Sequence, residues 1–144
     1  MSNTIKMNLP ESFDFTLIAI ITSEPIYRLC WLLNQSLKID LKEDRPLQIY
    51  HAKRKIVQEF DHFRQLGTHD QPEVNLIQNR SLNGHFTEEQ KQVDFWLKFE
   101  PRKEGASTLV EKIKSIQNIS LAFEANPGSL KSKDRFIFSL GEEV

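Results

Sequence analysis

A single cysteine, Cys30, leaves the chain without the means to close an internal disulfide, so nothing in it calls for an oxidising compartment. Glycine is also scarce. Its five positions, Gly67, Gly84, Gly105, Gly128 and Gly141, are too far apart to build a loop that cradles phosphate. Neither sign of charge dominates. A formal net charge of −1 gives no bulk electrostatic drive toward nucleic acid or anionic lipid, and no nucleic-acid partner is expected. No apolar run approaches the roughly 18 residues of a membrane span. The first fifteen residues, MSNTIKMNLPESFDF, lack the apolar stretch of a signal peptide. The expectation is a cytoplasmic protein with no membrane partner. His51, His62, His69 and His85 are scattered, and no second cluster completes a zinc set, so neither a metal nor another cofactor is expected.

What is present suffices for one core. Of 144 residues, 39% are hydrophobic and 27% charged, the balance of a folded globular chain. Residues 1–12 read as a loose leader and residues 13–140 as a single domain. Phe13–Ile21 alternates as a strand and turns apolar on both faces toward its end, which suits a central position. Ser23 starts a helix whose Ile26, Leu29, Cys30, Leu33 and Leu37 form one stripe, broadened by Trp31 and Leu32. Cys30 on that stripe reads as core packing rather than as a nucleophile. Lys38–Arg45 is a charged connection. Leu47–Tyr50, Ile56–Leu66 and Val74–Asn79 read as strands of an antiparallel meander, with Asn83-Gly84 marking a turn. Ala106–Gln117 is a second amphipathic helix, and Ile119–Glu124 another strand. The element order predicts an α+β domain. Its mainly antiparallel sheet of five to six strands carries two helices on one face, as a ferredoxin-like split β-α-β with an enlarged middle.

The most informative stretch is TEEQKQVDFWLKFE, Thr87 to Glu100. Thr87 and Gln90 have the spacing of a capping box, with Glu88 and Glu89 placed to complement the helix dipole. From Val93 the pattern alternates. Val93, Phe95, Leu97 and Phe99 form a core face, and Asp94, Trp96, Lys98 and Glu100 the opposite one. Glu89, Val93 and Asp94 match fixed letters of a motif, and the chain resembles the IPExxxVDY family of small uncharacterised bacterial proteins. The family's Ile-Pro is replaced by Thr87-Glu88, and its Tyr by Phe95. Further family-like stretches are FDFTLIAI, YRLCWLLN and LKSKDRFIF. The resemblance covers most of the chain and implies no assigned activity.

Candidate sites are three. Glu89 and Asp94, with Val93 and Phe95 in the signature turn, are either paired carboxylates for acid–base work or residues that fix a loop. Lys131, Lys133 and Arg135 are either a grip for a small anion or a solvated basic patch. Trp96 is either an anchor for a partner or a side chain packed under a loop. Ile18 and Ile20, on the face opposite the Phe15–Leu17–Ala19 set, group with Trp96 as a candidate partner face. A face left without helices wants a cover, from the C-terminal Phe136-Ile137-Phe138 run, the meander or a second chain. Two functions follow as expectations. The first is a non-catalytic protein-interaction module, as a homodimer or with another protein. The alternative is a regulatory domain that senses a small ligand or anion.

Overall fold

The computed structural model describes residues 14–138. The expected leader, Phe13 and positions 139–140 of the expected domain lie outside them. The strands are β1 (Thr16–Thr22), β2 (Lys42–Glu43), β3 (Leu47–His51), β4 (Ile56–Phe60), β5 (His62–Gln65), β6 (Glu73–Gln78), β7 (Arg80–Ser81), β8 (Gly84–His85), β9 (Phe95–Glu100) and β10 (Ile119–Ala125). Helix α1 (Ile26–Leu37) follows β1, and α2 (Ala106–Lys114) joins β9 to β10. Six strands make one sheet in the order β10-β1-β9-β6-β5-β2, with every neighbouring pair antiparallel. β3–β4 and β7–β8 are separate two-stranded ribbons. The expected α+β class, with an antiparallel sheet and two helices, is what the chain forms. β9 and β10 both oppose β1 from either side, so they run in the same direction with α2 between them. The finer ferredoxin-like likeness rests on element order alone.

Both helices cover one face. Ile18 and Ile20 of β1, Phe95, Leu97 and Phe99 of β9, and Val74 and Leu76 of β6 meet Ile26, Leu29, Cys30 and Leu33 of α1 and Leu109 and Ile113 of α2. The buried residues of α1 recur at three- and four-residue steps, the stripe an amphipathic helix turns inward. The helix starts later than expected, with Pro25 rather than Ser23 as its cap. Trp31 does not broaden the stripe. It is 53% exposed and lies under the Arg28 guanidinium, 5.1 Å from the ring centre.

Strand register corrects the expected partner face. Ile18 pairs with Leu97, Ile20 with Phe95, and Ala19 with Trp96. Ile18 and Ile20 therefore lie beneath the helices, and Trp96 points from the other side of the sheet. All three are fully buried within one chain. Alternation shows which residues of one strand share a face. When both faces are apolar, as on β1, it does not show which faces of two strands coincide.

The second face is core as well. Phe15, Leu17, Ala19, Ile77 and Trp96 are roofed by Leu47 and Phe60 of the β3–β4 ribbon and by Phe86, Val93, Leu130 and Phe136. Phe136 packs edge-on against Trp96 at 5.4 Å and Phe86 at 5.0 Å. Val93 thus belongs to this layer and not with Phe95. It sits in a turn before β9, its N–H donating to Gln90 O. The single strand expected over Ile56–Leu66 breaks at Asp61, so β4 joins the roof and β5 the main sheet. The expected connection Lys38–Arg45 contains β2, a two-residue charged edge strand.

Phe136→Ala should cost about 3–5 kcal/mol, the range for emptying a buried aromatic site. Urea denaturation measures it. A loss below about 1 kcal/mol, the size of an ordinary surface change, would mean that the C-terminal segment is not part of the core.

Candidate functional site

The signature stretch is held by a residue that sequence reading passed over. Asn79 follows β6 and is fully buried. Its Nδ2 donates to Gln90 O at 3.0 Å and Val93 O at 2.8 Å. Its Oδ1 accepts from Thr87 N and Thr87 Oγ1, both at 2.9 Å, and from Trp96 Nε1 at 3.2 Å. One amide thereby ties both ends of the loop between Thr87 and Trp96. It also explains why the expected capping box is not made. The Thr87 hydroxyl is spent on Asn79, and Glu88–Gln90 is a single 3-10 turn without a side-chain cap. The signal for Asn79 was indirect: a buried indole N–H needs an acceptor.

Glu89 and Asp94 do not act as a pair. Glu89 accepts from Ser132 N and Ser132 Oγ, each at 2.8 Å, and so fastens the C-terminal segment to the turn. Burial alone would raise its pKa; the bonds from Ser132, with those from the backbone of Glu89 and Lys131, together outweigh that and hold the carboxyl below its ordinary value. Asp94 reaches the other way. Its Oδ2 accepts from Thr22 N at 3.0 Å and its Oδ1 meets Arg80 Nη2 at 2.9 Å. Phe95, the last signature residue, is buried under the helices.

The basic segment does not converge on an anion either. Arg135 turns inward, donating from Nη1 to His85 O and Phe86 O at 3.1 Å and from Nη2 to Gln58 Oε1 at 3.0 Å. Lys131 stays exposed and Lys133 is half-buried. Three basic residues close in sequence are thus divided between a structural clamp and the surface.

Asp94 does line a concavity. A groove of about 450 Å³ runs between the start of α1 and the ends of β6 and β9, with Glu24, Tyr27, Asp61, Arg80 and Asp94 on its walls and Phe95 in its lining. Three carboxylates face one guanidinium there. Tyr27 is 70% exposed, and Trp31 stands one helical turn further along α1.

A second polar cluster lies inside the molecule. Lys98, expected on an outer face, is buried in the second layer. Its Nζ donates to Phe136 O at 2.6 Å, meets Glu100 Oε1 at 3.2 Å, and lies over the rings of Phe15 at 4.8 Å and Phe138 at 4.3 Å. Burial pushes its pKa down, against the opposing pull of Glu100. On the neighbouring strand Asn75 pairs with Lys98. Asn75 donates from Nδ2 to Glu73 Oε2 at 3.0 Å, so its Oδ1 accepts from His62 Nε2 at 2.7 Å. Burial lowers the His62 pKa as well and favours the neutral ring. Cys30 sits among apolar side chains, where burial raises its pKa and keeps it a thiol. Among the described residues no three His, Cys, Asp or Glu side chains are grouped to hold a metal ion, and no helix is long and apolar enough to cross a membrane.

No family model matches the chain, and no curated protein or solved structure is similar to it at a significant level.

Asn79→Ala should destabilise by at least the roughly 1–3 kcal/mol of an orphaned buried polar group, since it strands the Thr87 N–H and the Val93 carbonyl. Thermal melts of the variant read this directly, and an unchanged melting temperature would show that the loop is held by other means. Lys98→Met should keep the fold but lose stability at neutral pH, by roughly 1–3 kcal/mol, because it leaves the buried Phe136 carbonyl without its donor. The unfolded lysine binds its proton more tightly than the folded one. Wild-type stability should therefore rise with pH between the lowered folded pKa and the ordinary lysine value near 10.4, and the variant should lose that rise. Equilibrium unfolding across that window tests the sign.

Proposed function

We propose that this chain is a cytoplasmic, non-catalytic protein-interaction module of the IPExxxVDY kind. Its contact surface is the groove at the start of α1, not the buried Ile18, Ile20 and Trp96. The observation that carries this reading is the pair of exposed aromatics one turn apart on α1: Tyr27, which lines the groove that contains Asp94, and Trp31 beyond it. Large aromatic side chains supply most of the energy at many interfaces, and leaving two of them wet on a helix forgoes burial that a partner restores. The carboxylates of Glu24, Asp61 and Asp94 outnumber Arg80, so the fitting partner presents basic side chains to the groove. The anion-sensing alternative has less support. It needs Lys131 or Arg135 beside Asp94, and Arg135 is committed to His85, Phe86 and Gln58.

The test is affinity purification from the native cell, with and without nuclease, using wild type and the Tyr27→Ala, Trp31→Ala double variant. A nuclease-resistant protein should be retained by wild type and lost by the variant at unchanged melting temperature. Equal retention by both proteins would remove α1 as the contact surface. Retention that disappears with nuclease would point to RNA instead.

A further inference from the structure

The two edges of the main sheet are built differently. At one edge β2 is two residues long and charged, Lys42 and Glu43, the usual way of making a sheet edge unattractive to other strands. At the other edge β10 runs for seven residues, ISLAFEA, with no proline, no lysine and one glutamate. Among the described residues no strand pairs with its outer side. Leu121 on this strand is 44% exposed and Phe123 half-buried.

The direction of its free hydrogen-bonding groups follows from β1. Ile20 O accepts from Asp94 N, and Thr22 N donates to Asp94 Oδ2, so these even-numbered residues turn their backbone toward β9. Backbone direction alternates along a strand, so Leu17, Ala19 and Ile21 face β10. Their partners are Ala125, Phe123 and Leu121. The intervening Ala122 and Glu124 then direct N–H and C=O outward, while the register shift that sets Ile119 against Thr22 places Ser120 at a bulge.

We infer that β10 is a self-association edge, and that a second copy of this chain pairs with it antiparallel about a two-fold axis at Ala122. The strand is complementary to itself in that register. Ala122 meets Ala122 of the second copy, the pair exchanging hydrogen bonds through its outward groups, and the bulged Ser120 lies near Glu124. Leu121 falls opposite Phe123 at the closer, non-hydrogen-bonded positions, where an aliphatic–aromatic pair packs best. No like charges are opposed. The axis keeps each sheet face continuous, so helices of both copies share one side and the aromatic roofs the other. Isologous pairing of this kind closes after two chains and does not propagate. This surface is separate from the α1 groove, so either reading can fail without the other.

Sedimentation equilibrium over a concentration series tests it, with Glu124→Pro and Leu121→Lys as variants. The first removes an outward N–H that β1 does not use. The second puts a charge where Phe123 of the second copy would sit. Wild type should be a dimer that dissociates on dilution, and both variants monomers with wild-type circular dichroism and melting temperature. Hydrogen exchange adds a local readout. The amide of Ala122 should be protected in the wild-type dimer and exchange freely in the Leu121→Lys variant. A wild type that stays monomeric up to about millimolar concentration, a binding free energy of only about 4 kcal/mol, overturns the inference. So does a dimer that survives both substitutions. Protection of Ala122 in a monomer also overturns it, because another part of the same chain would then occupy the edge.

Discussion

One side-chain amide governs the second layer. Asn79 supplies two donors and an acceptor to a loop whose only regular piece is one 3-10 turn, and all but its bond to Gln90 O are buried. A buried network of this kind is stabilising only when complete, since each missing partner leaves a desolvated group behind. The Asn79 amide therefore fixes the path from Thr87 to Val93, which fixes where Phe86 and Val93 enter the roof. Together with the Thr87 hydroxyl it satisfies the Trp96 indole, so the largest side chain of the second face is buried with its N–H paired. Gly84 belongs to the same construction. Its φ of +136° is one that L side chains rarely adopt, and a Cβ there would lie 2.6 Å from Gln58 Nε2 and 2.7 Å from Glu88 Oε2.

A sheet buried on both sides needs two covers, and this chain makes them by different means. The helices of the first cover are regular and amphipathic. The second is assembled from a ribbon, a 3-10 turn and the segment that ends in Phe136, fastened by Glu89 to Ser132, by Arg135 to two carbonyls, and by Lys98 to Phe136 O. Charged groups do the fastening because irregular segments leave backbone groups without ladder partners, and charge-assisted bonds are the stronger way to satisfy them. The residues that looked most like a site in the sequence are for the most part these fasteners.

The regular half of the molecule was legible. Three- and four-residue spacing located α1 and α2, and alternation located β1, β6 and β9, because these elements bury one face against a flat neighbour. The irregular half was not. Register between strands placed Trp96 across the sheet from Ile18 and Ile20, and no local pattern encodes that. Lys98 reads as a solvent residue from its type alone, yet its neighbours in space, Phe15, Phe136 and Phe138, come from the two ends of the described chain. Trp31 shows the reverse. Its type suggests core, and only the geometry of α1 turns it outward. The groove at Asp94 joins a helix start, two strand ends and a turn far apart in sequence, a convergence that pattern reading cannot see.

The position of β1 bears on synthesis of the chain. It leaves the ribosome before both of its neighbours, β9 and β10. Until they emerge, TLIAIIT has both apolar faces and both edges open, a window of high β-propensity with no charge and no proline. α1 can cover one face in the interim, but the edges wait. The nascent chain therefore carries this uncharged, apolar segment unpaired until β9 and β10 emerge, and that heptapeptide offers a holding chaperone an open strand to bind.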